Sequence, residues 1–193
     1  MHKVIDRNDL HIINQILQGD KKAFRVLYDK YGRLFMLICK RYFSSKQDSE
    51  DMLQEAFISI FRDLKQFDQE RGQFQHWAKR VVINTCLQRI RKKTVLDDFD
   101  NLEDKQFDMG VSPDVLSTLS LQDLTSVIHK LPTGRRIVFN MYVIDGYTHK
   151  EISEQLGISV STSKTQLMRA KKVLQSNIQN NNFAAFNGNY AWG

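Results

Sequence analysis

Proline and glycine are scarce: two prolines and nine glycines among 193 residues leave few places where a helix must break. Leu, Ile, Lys, Gln, Asp and Arg are common instead, and the balance favours an all-helical protein of one domain or two small ones. Cysteine is scarcer still. Cys39 and Cys86 both fall inside apolar helical patterns, where they read as small core residues, and no metal site can be built from them. The histidines His2, His11, His76, His129 and His149 are scattered without ligand spacing. No acidic cluster has metal-site spacing and no nucleophile is paired with a base, so nothing supports an enzyme such as a nuclease. No signal peptide, lipidation motif or bilayer-length apolar run is visible, and the expectation is a soluble cytoplasmic protein without membrane insertion.

What the chain has is positive charge: 28 basic against 22 acidic residues, a net +6. An excess of that size makes nucleic acid a first guess that needs the charge to be localised. It concentrates in Phe74 to Lys93, FQHWAKRVVINTCLQRIRKK, which reads as one long helix. At about 100° per residue, Arg80, Asn84, Gln88 and Arg91 share a narrow stripe. Trp77, Ala78, Val81, Val82, Ile83, Thr85, Cys86 and Ile90 cover most of the rest. Between Lys79 and Lys93 stand Lys79, Arg80, Arg89, Arg91, Lys92 and Lys93 with no acid among them. Arginine meets phosphate or a guanine edge in bidentate geometry, and asparagine can donate and accept together against a base. In isolation the stretch reads rather as a solvated basic helix end.

Before it, helices are expected from Asp9 to Gln18, from Lys21 (capped by Asp20) to about Phe43, and from Asp48 to about Gln66. The third has an inward face of Leu53, Phe57, Ile60, Phe61 and Leu64. Its outward face groups Asp51, Gln54, Glu55, Ile58 and Arg62, which exposes an isoleucine in an acidic frame. An apolar residue in a polar ring has the form of a protein contact, and single exposed isoleucines are also common without meaning. The run DQERGQ reads as a turn-rich loop.

From Asp97 to Asp123 the composition turns acidic, with eight acids against Lys105, and Gly110 and Pro113 break any regular element. This is an extended flexible linker, or from composition alone a plain spacer. A second domain begins near Leu116, with helices expected over Leu119 to His129 and Thr133 to Tyr142. Then Thr148-His-Lys-Glu151 fits a capping box. It opens a short helix with Ile152, Ser153 and Leu156, closed by Gly157, after which Ser159 can cap a helix running to about Gln175. A small residue at the crossing followed by a glycine turn makes a helix-turn-helix. Its second helix carries Ser161, Thr162, Lys164, Thr165, Gln166 and Arg169 near the front, then Lys171 and Lys172, which favours DNA binding over a purely structural helix pair. The Asn-rich tail from Gln179 to Gly193 shows no packing period and is expected to be disordered.

Two basic helices in separate domains joined by an acidic tether resemble the bacterial sigma-70 superfamily, in its two-domain extracytoplasmic-function (ECF) group. In order, GDKKAFRVLYDKYG, DSEDMLQEAFISIF and FQHWAKRVVINTCLQRIRKK resemble region two, and LPTGRRIVFNMYVIDGYTHKEISEQLGISVSTSKTQLMRAKKVL resembles region four. The resemblance implies two all-α domains, residues 9–95 and 116–178, with an acidic linker at 96–115 and a tail at 179–193. It implies a non-catalytic subunit without cofactor that binds core RNA polymerase and promoter DNA, with an anti-sigma factor as a further partner. Asp48, Asp51, Gln54, Glu55 and Ile58 would dock on the polymerase. Arg80, Asn84, Arg89, Arg91 and Lys92 would engage the minus-ten element and support strand opening, with the loop Gln66 to Gln73 as a pocket for unstacked bases. Ser161, Thr162, Lys164, Thr165 and Arg169 would read the minus-thirty-five element. Four residues depart from the family pattern: Ser163 replaces an aliphatic residue and would loosen the second helix, Gln166 replaces a basic one, Ala78 a leucine and Gln88 an aspartate. The rival reading is a free-standing helix-turn-helix regulator acting as a dimer, for which no segment reads as a dimer helix.

Overall fold

The computed structural model describes residues 7–93 and 128–180, and every regular element among them is helical. The chain divides into two compact units, Met1–Val95 and Leu96–Gly193. The linker at 96–115 lies outside the described residues, as does the tail from residue 181.

In the first unit four helices form a bundle: α1 (Arg7–Leu17), α2 (Lys21–Tyr42), α3 (Lys46–Asp63) and α4 (Phe74–Lys93). Asp20 caps α2 as its sequence position suggests, accepting from the Lys22 amide at 2.8 Å. The third helix begins earlier than expected. Ser45 accepts from the Asp48 amide at 3.2 Å, so the cap is Ser45, and Asp48 sits in the first turn, where its charge suits the helix dipole. A buried row from each helix fills the centre: Ile12 and Ile16, Leu27 and Phe35, Leu53 and Ile60, Val82 and Leu87. Aromatic pairs pin α2 to α3, Phe24 on Phe61 and Tyr28 on Phe57, each with ring centroids 4.6 Å apart. A charged contact also ties α1 to α2. Asp9 is buried, accepts from Tyr31 and pairs with Lys30 at 2.7 Å, so its carboxylate is satisfied.

In the second unit, α5 (Thr133–Phe139) widens into a π-helical turn (Asn140–Ile144) before α6 (His149–Leu156) and α7 (Val160–Asn180). A single α-helix over Thr133 to Tyr142 was the expectation. The Asp145 amide instead donates to the Asn140 carbonyl five residues back, which apolar periodicity does not encode. Ile137, Val138 and Met141 nevertheless face inward, wholly buried. α7 also passes its expected end near Gln175 and reaches Asn180, since no glycine or proline interrupts LQSNIQN.

Candidate nucleic-acid and polymerase interfaces

α4 packs against α2 and α3 through Phe74, Ala78, Val82, Ile83, Cys86, Leu87 and Ile90, all buried. That apolar row sets its rotation. Arg80, Gln88 and Arg91 are consequently exposed, as are Arg89 and Lys92, while Asn84 is half-buried. The open side is wider than the narrow stripe expected, because Trp77, Val81 and Thr85 are half-exposed beside it. Arg89, at about 100° per residue, falls roughly opposite Arg80 and stands apart from the stripe. The Asn84 Oδ1 atom is buried and has no hydrogen-bond partner, an acceptor held out of water on the edge of the basic face.

Between α3 and α4 stand two short 3-10 turns, Leu64–Gln66 at the expected end of the third helix and Gln69–Arg71 within the run read as a turn-rich loop. Asp68 closes the second by accepting from the Glu70 amide at 2.9 Å. Phe67 lies against Phe74 and Trp77, with centroids 5.5 and 5.7 Å away, so this segment rests on an aromatic cluster at the start of α4.

On α3 the outward group is where periodicity puts it. Asp51, Gln54, Glu55 and Arg62 are exposed, and Ile58 is 64% exposed, the most exposed large apolar side chain among the described residues. Asp48 is half-buried. Arg62 is held in a fork by Asp63, at 2.8 and 2.9 Å, which lowers the Asp63 carboxyl below its usual range and leaves the remaining frame acidic.

The helix-turn-helix is built from local bonds. Thr148 Oγ1 accepts from the Glu151 amide at 3.2 Å while the Thr148 amide donates to Glu151 Oε2 at 2.8 Å, closing the capping box. Gly157 ends α6 at φ +69°, and no heavy atom lies within 4 Å of where a Cβ would stand, so this glycine is needed for its backbone and not for space. Ser159 accepts from the Thr162 amide at 2.9 Å and starts α7.

On α7, Ser161 and Lys164 are exposed, and Thr162, Thr165 and Arg169 are half-buried. Gln166 is not at the front: it turns inward and is 7% exposed, in line with Ser163, Leu167, Ala170 and Leu174. Ser163 is buried as well, and its Oγ lies 2.9 Å from His149 Nδ1, so the hydroxyl expected to loosen the helix has a partner. The sequence reading missed Met168. It is 45% exposed and stands on the front face, three residues after Thr165 and four after Lys164, a spacing that could have found it.

Two family models match the chain. One described as "Sigma-70 region 2" matches residues 27–95, and one described as "Sigma-70, region 4" matches residues 121–174. The chain is 31% identical over 178 residues to the ECF RNA polymerase sigma factor SigW of Bacillus subtilis, covering 86% of this chain and 95% of that protein. The chain belongs to the ECF RNA polymerase sigma factors. It is also 25% identical over 182 residues to the ECF RNA polymerase sigma-E factor of Haemophilus influenzae, across 89% of this chain and 95% of that one. A sigma factor from Bartonella quintana, solved in complex with the anti-sigma factor NepR, shares the fold at a TM-score of 0.51 and 18% identity, over 82% of this chain and 98% of that chain. As an ECF sigma factor the protein is a non-catalytic subunit of RNA polymerase, with region 2 and region 4 as its promoter-recognition domains. Among the described residues no helix is long and apolar enough to cross a membrane, and no group of three or more His, Cys, Asp or Glu could hold a metal ion.

Proposed function

We propose that this ECF sigma factor divides its work among three surfaces. Asp48, Asp51, Gln54, Glu55 and Ile58 on α3 dock on core RNA polymerase, with Ile58 as the apolar anchor inside a charged rim. Arg80, Asn84 and Arg91, with Arg89 and Lys92 gripping backbone at the end of α4, engage the minus-ten element and hold the opened strand. Ser161, Thr162, Lys164, Thr165 and Arg169 on α7 read the minus-thirty-five element in the major groove, where Met168 offers apolar contact to a thymine methyl. Residues 9–95 and 116–178 form the two working domains, 96–115 tethers them, and 179–193 is a tail. The protein acts in the cytoplasm, and an anti-sigma factor is the regulatory partner this reading carries over, since a solved sigma factor of like fold is bound to one.

The observation that carries the reading is the pairing of an exposed Ile58 in an acidic frame with a basic face on α4, both within the residues that match region 2. Its test is reconstitution. Purified protein added to sigma-free core polymerase and a promoter library should yield specific transcripts. Tight specific DNA binding without polymerase, and no transcripts with it, would instead support a free-standing regulator.

A further inference from the structure

His149 is the point where three elements of the second unit meet. It is the first residue of α6, and its Nδ1 lies 2.9 Å from the Oγ of Ser163 in the first turn of α7. The ring's face is stacked on Tyr142, with centroids 4.3 Å apart and planes at 22°. Tyr142 belongs to the π-helical turn, whose widened register returns the Tyr147 amide to the Met141 carbonyl at 2.9 Å. The imidazole is therefore fixed by a stack and by one directional bond, and the two together reach from the turn before the helix-turn-helix into its second helix.

Ser163 makes the arrangement specific. It is wholly buried, in the row with Gln166, Leu167 and Ala170 that sets the rotation of α7. An apolar side chain there would slide against its neighbours at little cost, whereas a buried hydroxyl loses its bond if the helix rotates by a fraction of a turn. Ser161, Thr162, Lys164 and Thr165 all lie within two residues of Ser163, so the same rotation would re-aim each of them.

We propose that His149 is a positioning residue for minus-thirty-five recognition, in which the Nδ1 to Ser163 Oγ bond and the stack on Tyr142 fix the angle of α7 against α6. The proposal rests on the reading of α7 as the minus-thirty-five helix. The surroundings favour a neutral ring: burial, and the charges of Lys164 and Lys171 on α7, hold the imidazole below its ordinary value, while Tyr142 faces it from the π-helical turn. A neutral imidazole can bond Ser163 in either tautomer, with Nδ1 accepting from the hydroxyl or donating to it.

The experiment uses the full chain assembled with core polymerase, on promoters carrying each single substitution in the minus-thirty-five element. The variants are His149→Ala, Ser163→Ala, their double, and Ser163→Val, which keeps the row packed. Each single variant should weaken binding to the preferred element by about five-fold, the weight of one net hydrogen bond. The double should be no worse than His149→Ala alone, because that variant already removes both the bond and the stack. Ser163→Val should flatten the ranking among minus-thirty-five sequences while leaving the melting temperature within a few degrees of wild type. In the free protein, the His149 Nδ1 shift should move toward that of an imidazole bonded to water in Ser163→Ala. Additive losses in the double, or variants that lower the melting temperature and keep the wild-type ranking, would overturn the proposal and leave the promoter reading intact. A wild-type holoenzyme indifferent to the minus-thirty-five sequence would overturn both.

Discussion

α4 and α7 are both basic helices proposed to meet DNA, yet they are seated differently. The buried row of α4, from Phe74 to Ile90, is wholly apolar and is gripped by α2 and α3. The buried row of α7 opens with two polar residues, Ser163 and Gln166, before Leu167, Ala170 and Leu174. An apolar row fixes a helix by area removed from water, which tolerates small rotations; a polar one fixes it by directional bonds. α4 is thus seated by apolar area alone, whereas α7 adds polar residues near its start to an apolar row that packs on α5.

That contrast should be widest in the core. Leu87→Ala removes a fully buried side chain and should cost about 2–5 kcal/mol. Chemical unfolding should show the first unit's transition shifted and the second's in place, with polymerase binding and promoter opening lost together. A shift of both transitions would mean that the units do not unfold independently.

Surface changes on the first unit should separate those two activities. Ile58→Asp leaves the bundle core intact and should weaken association with core polymerase by about thirty-fold, the scale of an interface hot spot near 2 kcal/mol. Arg80→Ala should leave that association unchanged and reduce permanganate reactivity at the minus-ten element by about ten-fold, as expected for one charge-assisted contact. If the two defects travelled together, the division between α3 and α4 would be wrong.

Much of this was legible in the sequence, and the reasons are physical. The bounds of α4 coincide with the stretch Phe74 to Lys93 because no glycine or proline interrupts a continuous helical pattern. Exposed Ile58 and the Thr148 capping box could be read from spacings of three and four residues, the distances at which helical neighbours interact. Ser45 as the cap of α3 was missed because Asp48, three residues on, is as good a capping type. The π-helical turn and the bond from His149 to Ser163, 14 residues apart, depend on tertiary packing that periodicity does not carry.

On the second unit the effects should be smaller and local. Thr148→Ala removes the acceptor for the Glu151 amide and should cost about 1 kcal/mol, read as a lower melting temperature of that unit alone.

The smallest expected effect is a dependence on pH, and its sign follows from His149. Burial and the charges of Lys164 and Lys171 lower its affinity for a proton in the folded unit, whereas the unfolded chain takes one up near the ordinary value of about 6.5. Below that pH the unfolded state binds more protons, so the stability of the second unit should be complete above it and fall as the solution is acidified toward the lower folded value. His149 is partly exposed, and solvent screening keeps the loss modest. The measurement is a difference between wild type and His149→Gln melted at matched pH from about 7.5 down to 5.5. The wild-type curve should fall more steeply. Parallel curves would show that the imidazole is not held neutral by its neighbours, and the first unit, where α4 is seated by apolar area, should give no such difference in either protein.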